Sequence, residues 1–232
     1  MMKKEVQDIL SAYQRQGWVS EPAAKKLLAG AGLPVPNSLW TKTLDDAIGF
    51  AGEIGYPVVA KVVSPEIVHK SDQGGVVVGI ADAGELTAAF DRFRQFSGFD
   101  GVLVEEMLSG LELIVGATID FQFGPVILLG MGGTRAEIYR DRVLRMAPLD
   151  EAGIRAMVKG LRAHGLLEGY RGGNAVNLPE LTRLIMAFSS LVMEIEELID
   201  SVDLNPVICS GKTCIIADAR IMLKSSTVGL LK

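Results

Sequence analysis

The sequence predicts an α+β fold in two lobes, and three observations carry that expectation. Helical and extended stretches are mixed along the chain. Several extended stretches are joined by turns of hairpin length, which suits antiparallel pairing better than a purely parallel sheet. A shift in composition near Phe99 to Asp100 separates a smaller α/β part from a larger one. The expected organisation is a helical extension over residues 1–20, a small lobe over 21–99 and a large lobe over 100–232.

Val6, Ile9, Leu10 and Tyr13 recur at helical spacing and predict a short amphipathic helix. SEPAAKKLLAGAG reads as a complete helix, with Ser20 as N-cap, Pro22 in the first turn and Gly30 or Gly32 at the end. LPVPNS cannot be helical and runs extended. A helix over Asp45 to Ile54 ends at Gly55, and PVVAKVVS, rich in β-branched residues, is a buried strand. The loop SPEIVHKSDQGG leads into a strand over Val76 to Ile80, followed by a helix over Gly84 to Phe96.

VLVEEM and LIVGATI form a strand-turn-strand unit, and PVILLGMGG continues it. Short strands are expected around Ile138 and Val143, and helices over Glu151 to Ala163 and Leu181 to Leu198. The last two strands, SVDLNPVI and TCIIADAR, pair across the SGK turn.

Composition narrows the function classes. The net charge of −5 announces no basic surface, which disfavours broad binding to nucleic-acid phosphates. No apolar run reaches the roughly 18 residues of a membrane helix, and the N-terminus lacks the apolar centre of a secretory signal. The expected location is cytoplasmic. Cys209 and Cys214 have neither zinc-ligand nor redox-motif spacing and read as buried reduced thiols.

Lys61 stands in the middle of the apolar strand VVAKVV. A buried ammonium needs an anion, whereas a lysine on an edge strand snorkels to water, and the residues leave both readings open. In HKSDQGG, His69, Lys70 and Ser71 precede Gly74 and Gly75, a pair that lets backbone approach a ligand or simply makes a solvated hairpin loop. Glu105 and Glu106 point to opposite faces of one strand, so either one of them faces inward toward a ligand or both are solvated, and Glu112 follows across the turn. Asn205 in DLNPV and Asp218 in IIADA lie on adjacent antiparallel strands, where two hard oxygen ligands suit Mg²⁺ if phosphates complete the shell.

VVAKVVSPEIVHKSDQGGV, VLVEEML, ELIVGATIDFQFGPVILLGMGG and DLNPV, in that order between Pro22 and Asp218, resemble the ATP-grasp β subunit of ADP-forming acyl-CoA synthetases. A more distant resemblance is to the succinyl-CoA synthetase β subunit. The resemblance implies an ATP-grasp fold whose two lobes clamp ATP or ADP with Mg²⁺. It implies phosphate contact for Lys61, a covering loop from Ser71 to Gly75, and an adenine-side position for Glu105. Glu112 then binds ribose, Glu137 is an acid close to the active site, and Asn205 and Asp218 hold the metal. His69 matches a histidine that carries a phosphoryl group between two sites, and imidazole nitrogen is a competent acceptor.

No GxGxxG stands between a strand and a helix, so a CoA-binding partner subunit or domain with its own catalytic histidine is expected. Two readings compete: a stand-alone ATP-grasp carboxylate–amine ligase, and a non-catalytic ADP-sensing subunit. His164 reads as structural, and Arg145 and Arg171 meet phosphate or the partner subunit or are solvated side chains.

Overall fold

The computed structural model describes residues 4–67, 70, 73–133, 141–170 and 174–225. They divide into two units, one of residues 36–108 and one of residues 1–35 with 109–232.

The small unit is a four-stranded antiparallel sheet with two helices on one face. Its strands run in the order β2 (Ser38–Thr41), β5 (Gly101–Glu106), β3 (Val58–Val63), β4 (Val76–Ile80). Thr43 caps α3 (Leu44–Ile54) by accepting from the Asp46 N–H, and Asp82 caps α4 (Ala83–Phe93) by accepting from the Glu85 N–H. Such caps contribute about 1 kcal/mol each. Val58, Ala60 and Val62 alternate with Val59 and Lys61, so the first set packs under Phe90 and Phe93 while the second lines the opposite face.

The large unit is built on a sheet of seven strands among the described residues. Its path is β1 (Trp18–Val19), β11 (Arg220–Leu223), β9 (Ile199–Cys209), β6 (Leu111–Asp120), β7 (Gly124–Met131), β8 (Arg142–Met146). β10 (Cys214–Ile216) also pairs with β9, so β10 and β11 lie in line along the same edge of that long strand. Leu113, Val115, Leu129, Leu204 and Val207 face a core filled by α5 (Glu151–Gly160) and α7 (Leu178–Ile195). The short helix α6 (His164–Leu167) lies between them in sequence. α1 (Lys4–Tyr13) and α2 (Glu21–Gly30) supply Val6, Leu10, Leu27 and Leu28 to the same core.

Three expectations change. The division falls at 35/36 and 108/109 rather than at 20/21 and 99/100. β5 pairs with β2 and β3, and α2 packs into the large core, so neighbours distant in sequence decide the boundary. β5 and β6 are not a hairpin but belong to different sheets, joined through residues 107–110. The stretch TCIIADAR is not one strand, because it breaks into β10 and β11 around Ala217 to Ala219. The break faces a bulge in β9, where Leu204 pairs with Val115 and Val207 with Leu113, leaving two β9 residues opposite Ile114.

Candidate functional site

In the small unit β3 has a partner on each side, so Lys61 is not on an edge. Its side chain is 7% exposed and its Nζ lies 2.9 Å from a Glu105 oxygen, itself on a side chain 3% exposed. The register explains the meeting. Val59 stands opposite Glu105 and Lys61 opposite Leu103, which puts both charges on the face turned away from α3 and α4. Glu106 turns the other way and accepts from the Asn37 N–H at 2.9 Å.

Gly75 is demanded by its own loop. A Cβ there would sit 2.7 Å from Val62 Cγ1 and 3.0 Å from the Lys70 carbonyl oxygen. The Gly75 N–H donates to that same carbonyl at 2.7 Å, so it is engaged within the loop. Gly74 has φ +71°, a left-handed conformation that suits glycine, and its carbonyl accepts from Arg92 at 2.8 Å. His69, Ser71, Glu137 and Arg171 lie outside the described residues.

The other described candidates, Glu112, Asn205 and Asp218, belong to the large unit. Asn205 and Asp218 are brought side by side, since the Asn205 N–H donates to the Asp218 carbonyl at 3.2 Å and the Ala217 N–H to the Pro206 carbonyl at 2.9 Å. Leu204, Val207, Ile216 and Ala219 are buried, whereas Asn205 is exposed and Asp218 half-buried. The Asp218 carboxylate accepts from the Ala219 N–H at 2.8 Å, which sets its orientation. Mg²⁺ takes few protein oxygens and keeps phosphate or water for the rest, so an amide oxygen beside a carboxylate fits it.

Glu112 is exposed on β6, with its backbone carbonyl accepting from the Gly132 N–H at 2.8 Å. Gly132 has to be glycine for this approach, because a Cβ would stand 2.9 Å from the Glu112 carbonyl carbon and oxygen. Gly133 follows at φ +85° and leads toward the segment that contains Glu137. On β9, Asp203 stands opposite Arg220. Part of its side chain reaches solvent, yet burial against the sheet lifts its carboxyl above the usual range, with Arg220 pulling the other way.

Two further expectations can be placed. His164 Nδ1 lies 2.9 Å from the Leu161 carbonyl at the start of α6, a local role that agrees with its structural reading. Cys209 and Cys214 are cross-strand partners, both buried and both free thiols. The contact with Cys214, together with burial, raises the Cys209 thiol far above its ordinary value.

The motif reading passed over Glu21 and Lys25. They form an ion pair of 3.0 Å with both side chains 3% exposed, and Lys25 Nζ donates to the Ala217 carbonyl at 2.7 Å. A signal was present, because Glu21, Lys25 and Leu28 fall on one stripe of the helix, where a charged pair calls for explanation.

A family profile described as an ATP-grasp domain matches residues 10–223. The chain is 37% identical over 235 residues to the acetate–CoA ligase [ADP-forming] II subunit beta of Pyrococcus furiosus, covering 96% of this chain and 100% of that one. It is 38% identical over 213 residues to the 4-hydroxybutyrate–CoA ligase [ADP-forming] of Nitrosopumilus maritimus, covering 88% of this chain but 30% of that longer one. Among solved structures, the dinucleotide-forming acetyl-coenzyme A synthetase 1 of Ca. Korarchaeum cryptofilum superposes with a TM-score of 0.83 at 36% identity, covering 94% of this chain and 100% of that one. That structure holds coenzyme A and Mg-AMPPCP, with a phosphohistidine segment pointing towards the nucleotide binding site.

Proposed function

Because this chain belongs to the ATP-grasp family, among the β subunits of ADP-forming acyl-CoA synthetases, we propose that it performs the nucleotide half of that reaction. The overall conversion is acyl-CoA, ADP and phosphate to carboxylate, CoA and ATP, run reversibly. A CoA-binding partner, as a separate subunit or fused domain, supplies the acyl chemistry and a first phosphohistidine. Among relatives the same segment occurs both as a whole β subunit and as 30% of a longer ligase, which supports either arrangement. The observation that carries the nucleotide reading is the pairing of exposed Asn205 with half-buried Asp218 at the break between β10 and β11.

The roles follow from the side chains. Asn205 and Asp218 would hold Mg²⁺, which when bound neutralises phosphate charge. Lys61 donates to phosphate oxygens, and Glu105 keeps the ammonium in place on the adenine side. Glu112 accepts from ribose hydroxyls, and Glu137 adds an acid near the phosphates. The loop from Ser71 to Gly75 covers the phosphates, with Gly74 and Gly75 shaping its return into β4 rather than binding the anion. His69 carries the phosphoryl group. Its N–P bond breaks as a β-phosphate oxygen of ADP forms the new O–P bond, and the imidazole is released for another cycle.

The test is a phosphate chase in the complex reconstituted with the CoA-binding partner. Given acyl-CoA and labelled phosphate without ADP, acid-labile, base-stable label accumulates on this chain, and added ADP moves it into ATP. His69→Ala removes both events while leaving nucleotide binding nearly intact. Label confined to the partner, with His69→Ala turning over normally, overturns the relay.

A further inference from the structure

Asp218 lies in the gap between β10 and β11, where the regular ladder along β9 is broken. Loose backbone at that point would blur the position of a metal ligand. Two bonds tie it to β9, Ala217 N–H to Pro206 and Asn205 N–H to Asp218, and a third, Ala219 N–H to the Asp218 carboxylate, is local to the gap. The fourth comes from the helix layer. Lys25 Nζ reaches the Ala217 carbonyl at 2.7 Å, one residue before the ligand, and is held at 3.0 Å by Glu21 one turn earlier on α2.

Two ions with side chains 3% exposed are costly to bury. An apolar pair would fill the same space in the core without that cost. What the charges add is a directed, charge-assisted bond to one backbone carbonyl. We propose that Lys25, with Glu21, is a positioning residue that sets Asp218 for metal binding. The inference rests on the reading of Asn205 and Asp218 as the metal ligands. Groups that hold a metal ligand from behind typically cost about tenfold or more in metal affinity when removed.

The experiment uses Mn²⁺ as the probe, titrated into the full chain with ADP present and followed by electron paramagnetic resonance. The neutral pair Glu21→Gln with Lys25→Met is compared with wild type and with Asp218→Asn. The pair variant is expected to fold, to bind ADP without divalent cation as wild type does, and to bind Mn²⁺ about tenfold more weakly. If the pair variant does not fold, Glu21→Gln alone replaces it, and weaker Mn²⁺ binding by that folded variant supports the proposal. A folded variant with wild-type Mn²⁺ binding, while Asp218→Asn loses it, overturns the positioning role and leaves the ligand reading standing. Loss of Mn²⁺ and metal-free ADP binding in parallel also overturns it, since Lys25 then serves the fold alone. Wild-type Mn²⁺ binding by Asp218→Asn removes the ligand reading and the inference with it.

Discussion

Glu105→Leu removes the carboxylate 2.9 Å from the Lys61 ammonium in the small unit, and the size of the penalty can be worked from the pair. Charges 2.9 Å apart attract by about 6 kcal/mol at an effective dielectric of about 20. Desolvation of two nearly buried ions offsets much of that, so the intact pair is close to neutral relative to a well-packed apolar one. Removing one partner keeps the desolvation cost and loses the attraction, a loss of about 3–5 kcal/mol. Lys61→Met alone should cost a similar amount, for the same reason. Lys61→Met with Glu105→Leu should recover to within about 2 kcal/mol of wild type, because apolar side chains suit the site. Urea unfolding followed by circular dichroism measures all four proteins, and calorimetry with Mg·ADP measures their binding. The double variant is expected to be folded and deficient in nucleotide binding. Single variants within about 1 kcal/mol of wild type, or a double variant as unstable as the sum of the singles, would refute the reasoning.

Two more outcomes follow from close contacts. Gly132→Ala forces a Cβ to 2.9 Å from the Glu112 backbone, so a stability loss of about 1–3 kcal/mol is expected in thermal melts. Nucleotide affinity should fall with it as the Glu112 strand shifts. Cys209 and Cys214 are buried, and the raised Cys209 thiol stays protonated, so neither should react with a chromogenic disulfide at pH 8 until denaturant is added. Rapid native labelling of either thiol would show the hairpin to be open.

Much of the fold was legible because local chemistry and tertiary packing agree. The helix at Asp45 to Ile54 has its Thr43 cap and its Gly55 stop, and the strand PVVAKVVS has its β-branched run. The pairing of Asn205 with Asp218 was legible too, since the SGK turn brings the flanking strands back antiparallel. The unit boundary was not. β5 and β6 are both apolar and separated by a short glycine-containing link, the pattern of a hairpin, and only their distant partners assign them to different sheets. The break at Ala217 to Ala219 was hidden because its cause, the bulge in β9, is a relation between strands. Lys61 could be an edge or a central residue until β4 and β5 were seen on either side of it. Lys25 belongs to no motif, and its target, Ala217, is remote in sequence.

If Asn205 and Asp218 are metal ligands, this chain carries a Mg²⁺-dependent nucleotide site of its own. Calorimetry of the isolated chain with ADP, with and without Mg²⁺, tests it most directly. Binding should tighten when Mg²⁺ is added, and an Asp218→Asn variant should fold normally but need much more Mg²⁺ for the same effect. ADP affinity that is indifferent to Mg²⁺ in the wild type, or an unchanged Mg²⁺ requirement in Asp218→Asn, would contradict it.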